Sequence, residues 1–143
     1  DTLVHPWIDL MLPHPGIEAF VGSVEQTLKP LVDGDRFSIL LIPMRTGRFT
    51  RPLFRAPKTK LAFGFDILRF MPGDKNAVEQ ALRHNRALYD QCRDAGGTHY
   101  PISAVRLARD DWVRHYGAQF ARLAAAKARH DPGNVLRGGP DLF

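Results

Sequence analysis

The side chains that most often carry chemistry are spread thinly along this chain of 143 residues. Its six histidines are scattered, with no His-x-x-x-His or Cys/His spacing, so a metal site has little support. Cys92 is the single cysteine, which excludes an internal disulfide and favours a reducing compartment such as the cytoplasm. The sequence also lacks a glycine-rich phosphate loop, a nucleophile elbow, a Walker motif and a recognisable pair of catalytic carboxylates. Residue types and spacing alone therefore assign no reaction.

Positive charge is the second chemical feature of the sequence. The formal net charge is +5, and the clustered cations are Arg45, Arg48, Arg51, Arg55, Lys58 and Lys60. Such a stretch can attract nucleic acid, phosphate or a membrane surface. The remaining Lys and Arg alternate with acids, as on the solvated face of a helix. We therefore expect a solvated loop, with neither nucleic acid nor a membrane as partner.

The composition, 44% hydrophobic and 24% charged, is that of a globular domain. No apolar run approaches the roughly 20 residues that cross a bilayer, and nothing at the start resembles a signal peptide. The chain begins with Asp1 instead of Met and runs directly into an apolar pattern. We therefore expect a piece of a longer protein that holds one domain or part of one.

Hydrophobic periodicity predicts strands that alternate with helices. The nearly continuous apolar run FSILLIPM predicts a strand buried on both faces, with Pro43 at its end or on an edge. The predicted strands are 3–12, 37–44, 61–71 and 98–105, residues 45–60 form a loop, and the predicted helices are 17 to near 30, 74–95, one beginning at 108, and 118–129. This order favours an α+β fold in which an antiparallel or mixed sheet is covered on one face by helices, in a ferredoxin-like layer.

Four segments carry a more specific signal: HPWIDLMLP, ILLIPMR, DWVRHYG and HDPGNVL, the last of which precedes GGPDLF. In this order and spacing they resemble the last third of the cytokinin dehydrogenases, which are FAD-dependent amine oxidoreductases of the vanillyl-alcohol oxidase superfamily. The resemblance covers nearly the whole chain, and DWVRHYG and the HPW strand are its most specific parts. We expect a bacterial-type member.

The resemblance implies a parent enzyme that oxidises a C–N bond of a small amine and passes hydride to the flavin. Residues 1–130 would then be part of the substrate-binding cap domain, and residues 131–143 a segment that returns to the FAD-binding domain. The family has its catalytic acid and main FAD contacts in that N-terminal domain, which is the expected partner, so this chain alone would be inactive. The HPW strand would lie in the middle of the parent sheet, and loss of its neighbours predicts self-association at the truncated edge.

Matching motif positions supply candidate site residues, none of them catalytic. Asp9 stands where the plant enzymes have Asn, and a carboxylate prefers a cationic or donor-rich ligand, which puts adenine-type specificity in doubt. Trp112 and His115 are expected to pack in a core. The substrate-binding candidates are Trp7, Asp9, Pro43 and Tyr100, and the cofactor-binding candidates are Tyr100, Gly139 and Pro140.

Two other classes stay open from the residues alone. The first is a self-contained ferredoxin-like module that binds a ligand or a partner without catalysis. The second is a basic nucleic-acid-binding domain, whose binding would depend strongly on salt. A glycine-rich FAD-domain loop with a nearby histidine upstream of Asp1 would favour the oxidoreductase.

Overall fold

A sheet of five strands is the framework of the computed structural model, which describes residues 3–136 and 142–143. The strands are β1 (Leu3–Val4), β2 (Ile8–Pro13), β3 (Arg36–Arg45), β4 (Leu61–Pro72) and β5 (Thr98–His99). β2 and β3 flank β4, β5 pairs with the other side of β2, and β1 pairs with the last two residues of β4. Every pairing among these strands is antiparallel, which confirms the antiparallel alternative of the predicted α+β fold.

Two helices, α1 (Ile17–Thr27) and α2 (Lys75–Asp94), cover one face of this sheet. α2 begins as predicted, because the Asp74 side chain accepts a hydrogen bond of 2.8 Å from the backbone N–H of Ala77. The buried side chains between sheet and helices come from alternate positions of the strands and from one stripe of each helix: Ile8, Leu10, Leu12, Phe20, Val24, Phe65, Ile67, Leu88 and Cys92. This layer is the core of the first part of the fold. Strand residues that alternate with the core residues face the opposite side of the sheet.

The predicted first strand is broken into β1 and β2. Pro6 has no N–H to donate to a ladder, and the Trp7 N–H instead donates to the His5 carbonyl at 2.8 Å, which closes a tight turn. As a result, β1 and β2 pair with different parts of β4, Met71–Pro72 and residues 62–67 respectively.

The prediction that residues 37–44 are buried on both faces is wrong. In the part of the chain that the structure describes, β3 is an edge strand that pairs with β4 only, and its four consecutive apolar residues Ile39 to Ile42 are 40–49% exposed. An apolar run predicts a strand but does not reveal whether a second strand flanks it. Pro43 lies on the edge strand, which was one of its two predicted placements.

The HPW strand is not the edge at which self-association was expected. β2 is paired with β4 on one side and with β5 on the other, and the backbone N–H groups of Tyr100 and Ala104 continue the bonding to Asp9 and Trp7. β2 is thus a central strand among the described residues, and its place in the sheet of a longer parent protein stays a prediction. Within the described residues, the long unpaired edge belongs to β3.

Two compact units divide the chain. The first runs to Phe49 and from Ala56 to Val105 and contains the sheet, and the second comprises Thr50–Arg55 and the chain from Arg106. The second unit contains α3 (Arg109–Tyr116) and α4 (Ala118–His130), packed around Trp112, Tyr116 and Phe120. His115 is also buried, so both residues expected to pack do so. The division at residue 130 stays a prediction. Among the described residues, no helix has the length and apolar character needed to span a membrane.

Candidate functional site

Two carboxylates meet on the sheet face that is opposite α1 and α2. Asp9 of β2 lies directly across from Asp66 of β4, and Asp66 lies across from Leu40 of β3. Side chains alternate along a strand, and the neighbouring Ile8 and Ile67 belong to the core beneath the helices. Asp9 and Asp66 therefore point away from that core. We call the surface that carries them the Asp9 face.

Ser103 holds the backbone of Asp9 in place. The Asp9 N–H donates to Ser103 Oγ at 2.8 Å, and Ser103 Oγ donates to the Asp9 carbonyl at 3.0 Å. The same hydroxyl lies 3.5 Å from Oδ2 of Asp9. The Tyr100 N–H also donates to the Asp9 carbonyl, at 2.9 Å. Asp9 is thus fixed between β4 and the segment that follows β5, which is the kind of support that a substrate-orienting side chain needs.

The surroundings of the two carboxylates favour their protonated forms. Burial raises the pKa of Asp66 to about 6, and the nearby charge of Asp9 adds to the effect. Burial also raises the pKa of Asp9, while the hydrogen bond from Ser103 acts in the opposite direction. Two like charges on facing strands cannot both ionise as easily as either would alone. The pair therefore gains a proton as the pH falls through about 6.

Trp7 borders the Asp9 face. Its indole N–H donates to the Arg69 carbonyl at 3.0 Å, and its ring packs edge-on against Phe70 with 5.7 Å between centroids. Phe70 is four residues from Asp66 on β4 and so lies on the same face. The part-buried indole is therefore close to the face on which Asp9 lies, and its role as a wall of the substrate cavity stays a prediction.

Tyr100 directly follows β5 and therefore lies on the side of Asp9 that is away from β4. The preceding His99 is buried, and its ring lies 5.3 Å from that of Tyr89 on α2, so His99 faces the helices. By alternation, the next side chain faces the opposite way, and Tyr100 is 46% exposed. The structure thus brings Trp7, Asp9 and Tyr100 to one face of the sheet.

Pro43 does not join them. It pairs with Phe63, whose side chain packs against the core on the helix-covered face. Pro43 therefore lies on the face away from Asp9. Gly139 and Pro140 lie outside the described residues, so their expected contacts with flavin stay a prediction.

Asp66 is the site residue that sequence reasoning missed. It is the single acid in the apolar stretch LAFGFDILRF. A charged side chain inside an apolar strand is rare unless it is paired with another group or takes part in binding. That signal was available, but the residue opposite Asp66 is 57 positions away in the chain, and the register that joins it to Asp9 is a property of the fold.

Comparison with known proteins identifies relatives over almost the whole chain. The family model described as "Cytokinin dehydrogenase 1, FAD and cytokinin binding" matches residues 2–143. An uncharacterized oxidoreductase from the fasciation locus of Rhodococcoides fascians is 34% identical over 94% of this chain and 30% of its own length. Cytokinin dehydrogenase 8 of Oryza sativa subsp. indica is 33% identical over 97% of this chain and 28% of its own length. Cytokinin dehydrogenase 10 of Oryza sativa subsp. japonica is 31% identical over 97% of this chain and 26% of its own length.

The chain thus spans less than a third of the length of these relatives. The segments HPWIDLMLP and DWVRHYG fall within the matched residues. Because the family model covers the chain from residue 2 to its last residue, this protein belongs to the cytokinin dehydrogenase family.

Proposed function

We propose that this chain is the substrate-domain part of an FAD-dependent oxidoreductase that oxidises a C–N bond of a small amine. In this proposal the Asp9 face lines the substrate cavity, and Trp7 and Tyr100 are its aromatic borders. The observation that carries the proposal is the pairing of Asp9 with Asp66 on a sheet face of a chain that matches a substrate-binding and FAD-binding family model.

The chemistry of the two carboxylates suits a nitrogen ligand. A half-buried carboxylate gains most from a partner that donates an N–H or carries positive charge. Asp9 would accept a hydrogen bond from the substrate nitrogen and so hold the adjacent carbon in one orientation. Asp66 would support Asp9 as its protonated neighbour, because burial and the charge of Asp9 raise the pKa of Asp66 to about 6. Tyr100 adds a phenol hydroxyl that can donate or accept a hydrogen bond at the edge of the Asp9 face.

The Asp9 face does not fit the phosphates of FAD. A pyrophosphate is negatively charged, and two neighbouring carboxylates would repel it. We propose that FAD is held mainly by a part of the longer protein outside these residues, where it supplies the acceptor for the hydride that leaves the substrate carbon. The 143 residues alone would then be inactive toward amines.

The test compares Asp9→Ala with Ile8→Ala in the full-length protein. The two residues are neighbours on β2 but face opposite sides of the sheet, and Ile8 is fully buried in the core. Loss of a charge-assisted hydrogen bond is worth about 1.5 to 3 kcal/mol, so Asp9→Ala should lower kcat/KM roughly ten- to a hundredfold with an unchanged FAD content.

Ile8→Ala should instead leave turnover nearly unchanged and lower the free energy of unfolding by about 2 to 5 kcal/mol, because it leaves a cavity in the core. Steady-state rates with amine substrates, flavin absorbance and thermal melting measure all three properties on the same samples. If Asp9→Ala turns over normally but melts early or loses flavin, Asp9 is structural and the substrate does not contact this face.

The second candidate is a self-contained module that binds a ligand or a partner without catalysis. The exposed apolar edge of β3 favours it, since such an edge can receive a strand from another protein. The two candidates separate in one measurement: anaerobic addition of amines should bleach the flavin of an oxidoreductase and should leave a binding module without spectral change.

A further inference from the structure

The positive charge of this protein is concentrated in one part of the sequence. Residues 36–65 contain seven Lys and Arg and no Asp or Glu, whereas the rest of the chain has 13 Lys and Arg against 15 Asp and Glu. The net charge of +5 therefore comes entirely from this stretch. Such a local excess without compensating acids points to an anionic partner.

Three of these cations line a single cavity of about 670 Å³ in the first unit. Arg45, at the end of β3, and Arg48, in the turn that follows, form one side. Lys60, just before β4, forms the other. Among the described residues no acid lines the cavity, and its remaining walls are Thr46, Gly47, Thr59 and Leu61.

Hydrogen bonds from Thr46 join the two sides of this cavity. The Thr46 N–H donates to the Lys60 carbonyl at 3.3 Å, and the Thr46 hydroxyl donates to the Thr59 carbonyl. The Thr59 hydroxyl donates to the Leu61 carbonyl at 2.8 Å. The backbone that presents the cations is therefore tied together before any ligand arrives, which lowers the entropy lost on binding.

Acids among the described residues do not neutralise the three cations. Within residues 3–136 and 142–143, neither Arg45, Arg48 nor Lys60 forms an ion pair or a side-chain hydrogen bond, and all three are exposed. Arginine also presents a planar fork of donors that matches the oxygens of a phosphate. Three positive charges therefore line one cavity, and no acid among the described residues is paired with any of them.

We propose that this cavity binds the phosphate group of a small phosphorylated organic molecule through Arg45, Arg48 and Lys60. A free phosphate ion would fill only a fraction of the space, because cavities of this size hold whole organic ligands. Leu61 and the aliphatic stems of the arginines offer apolar contact to the rest of such a molecule. The site is independent of the amine chemistry proposed for the Asp9 face.

The experiment is calorimetric titration of the full-length protein with phenyl phosphate, inorganic phosphate and phenol. Phenyl phosphate should bind more tightly than inorganic phosphate, and phenol should not bind measurably. Arg48→Gln and Lys60→Gln should each weaken phenyl phosphate binding about fivefold, because an exposed ion pair contributes up to about that factor. Binding should also weaken as salt is raised.

Arg51→Gln is the matched control, since it removes the same charge from the same stretch without lining the cavity. It should leave binding unchanged. Equal losses in Arg51→Gln and Arg48→Gln would mean that only net charge matters, and absence of saturable binding would equally overturn the site. Tight binding of a single-stranded oligonucleotide with no binding of phenyl phosphate would also overturn it, in favour of a nucleic-acid surface. Thermal melting confirms that each variant is folded.

Discussion

At the scale of single residues, register makes the pair of Asp9 and Asp66 unusual. Neither acid is fully buried, and neither has an Arg or Lys partner in the ion pairs of the described residues. Each therefore carries part of the cost of charging the other when both ionise. In a structural role this arrangement would be a pure loss of stability, which is one reason to ascribe a binding role to it.

The pair should make stability depend on pH in a defined direction. Asp66 has a pKa of about 6 in the folded protein against 3.8 as the ordinary value, so the folded state binds more protons between these two limits. The free energy of unfolding should therefore fall as the pH rises from about 4 to 6. Asp66→Asn should remove most of this fall and raise the melting temperature at pH 7.

Asp33→Asn is the control for this measurement, because Asp33 is an exposed acid that lies outside the sheet. It should leave the pH profile of melting as it is in the natural protein. Identical profiles for Asp66→Asn and the natural protein would show that Asp66 ionises normally and that the pair is not coupled.

Individual candidate residues could be chosen from the sequence only where a motif marked them. Asp9, Trp7 and Tyr100 were chosen through matching motifs, and their common face follows from strand alternation, which a sequence can predict; their contact with substrate or cofactor stays a prediction. Asp66 has no motif. Pro43 lies within a motif, yet it is on the opposite face of the sheet from Asp9. The pairing of Pro43 with Phe63 determines that position, and the motif does not.

At the scale of elements, the turn from α2 into β5 depends on a close approach at Gly97. A Cβ at this position would lie 2.7 Å from the Met11 carbonyl oxygen and closer still to Cys92 Sγ, so backbone and side chain would have to move. Gly97→Ala should therefore lower the melting temperature by several degrees.

Gly22→Ala is the matched control and should act in the opposite direction. Gly22 lies inside α1, and a Cβ there meets nothing within 4 Å. Alanine in a helix interior is favoured over glycine by about 0.5 to 1 kcal/mol, so this variant should melt slightly later than the natural protein. If Gly97→Ala melts like Gly22→Ala, the junction between α2 and β5 is looser than its packing indicates.

The elements themselves were largely predictable, since long periodic segments carry their own signal. The first helix, the Asp74 cap and the order of strands and helices follow from apolar spacing and capping residues. Strand neighbours were not predictable. A run such as FSILLIPM is equally apolar in the centre of a sheet and at its edge, and the pairing of β3 with β4 alone among the described residues is what makes it an edge strand there.

At the scale of the whole molecule, the edge of β3 is where association is expected. Its apolar residues and unpaired backbone groups form a template on which a second copy can add a strand. Light scattering of the 143-residue chain should show an apparent mass that rises with concentration. Leu41→Lys should reduce this rise, because a charge on an edge strand opposes pairing.

Val135→Lys serves as the comparison, because Val135 is more exposed than Leu41 but belongs to the second unit and to no strand. It should leave the association unchanged. A strictly monomeric natural chain over a wide concentration range would contradict the expectation, and an equal effect of both variants would place the contact elsewhere than on β3.

The position of β4 in the chain also has a consequence for synthesis on the ribosome. β1, β2 and β3 all pair with β4 and, in the described residues, not with one another. β2 ends at Pro13 and β4 ends at Pro72, so roughly 60 further residues are synthesised after β2 before its partner β4 is complete. At about 5 to 20 residues per second, that interval lasts on the order of 3 to 12 seconds. During it β1, β2 and β3 lack the strand with which they pair in the described residues, and we expect the nascent chain to need chaperones at this stage more than a chain in which each strand pairs with the next one.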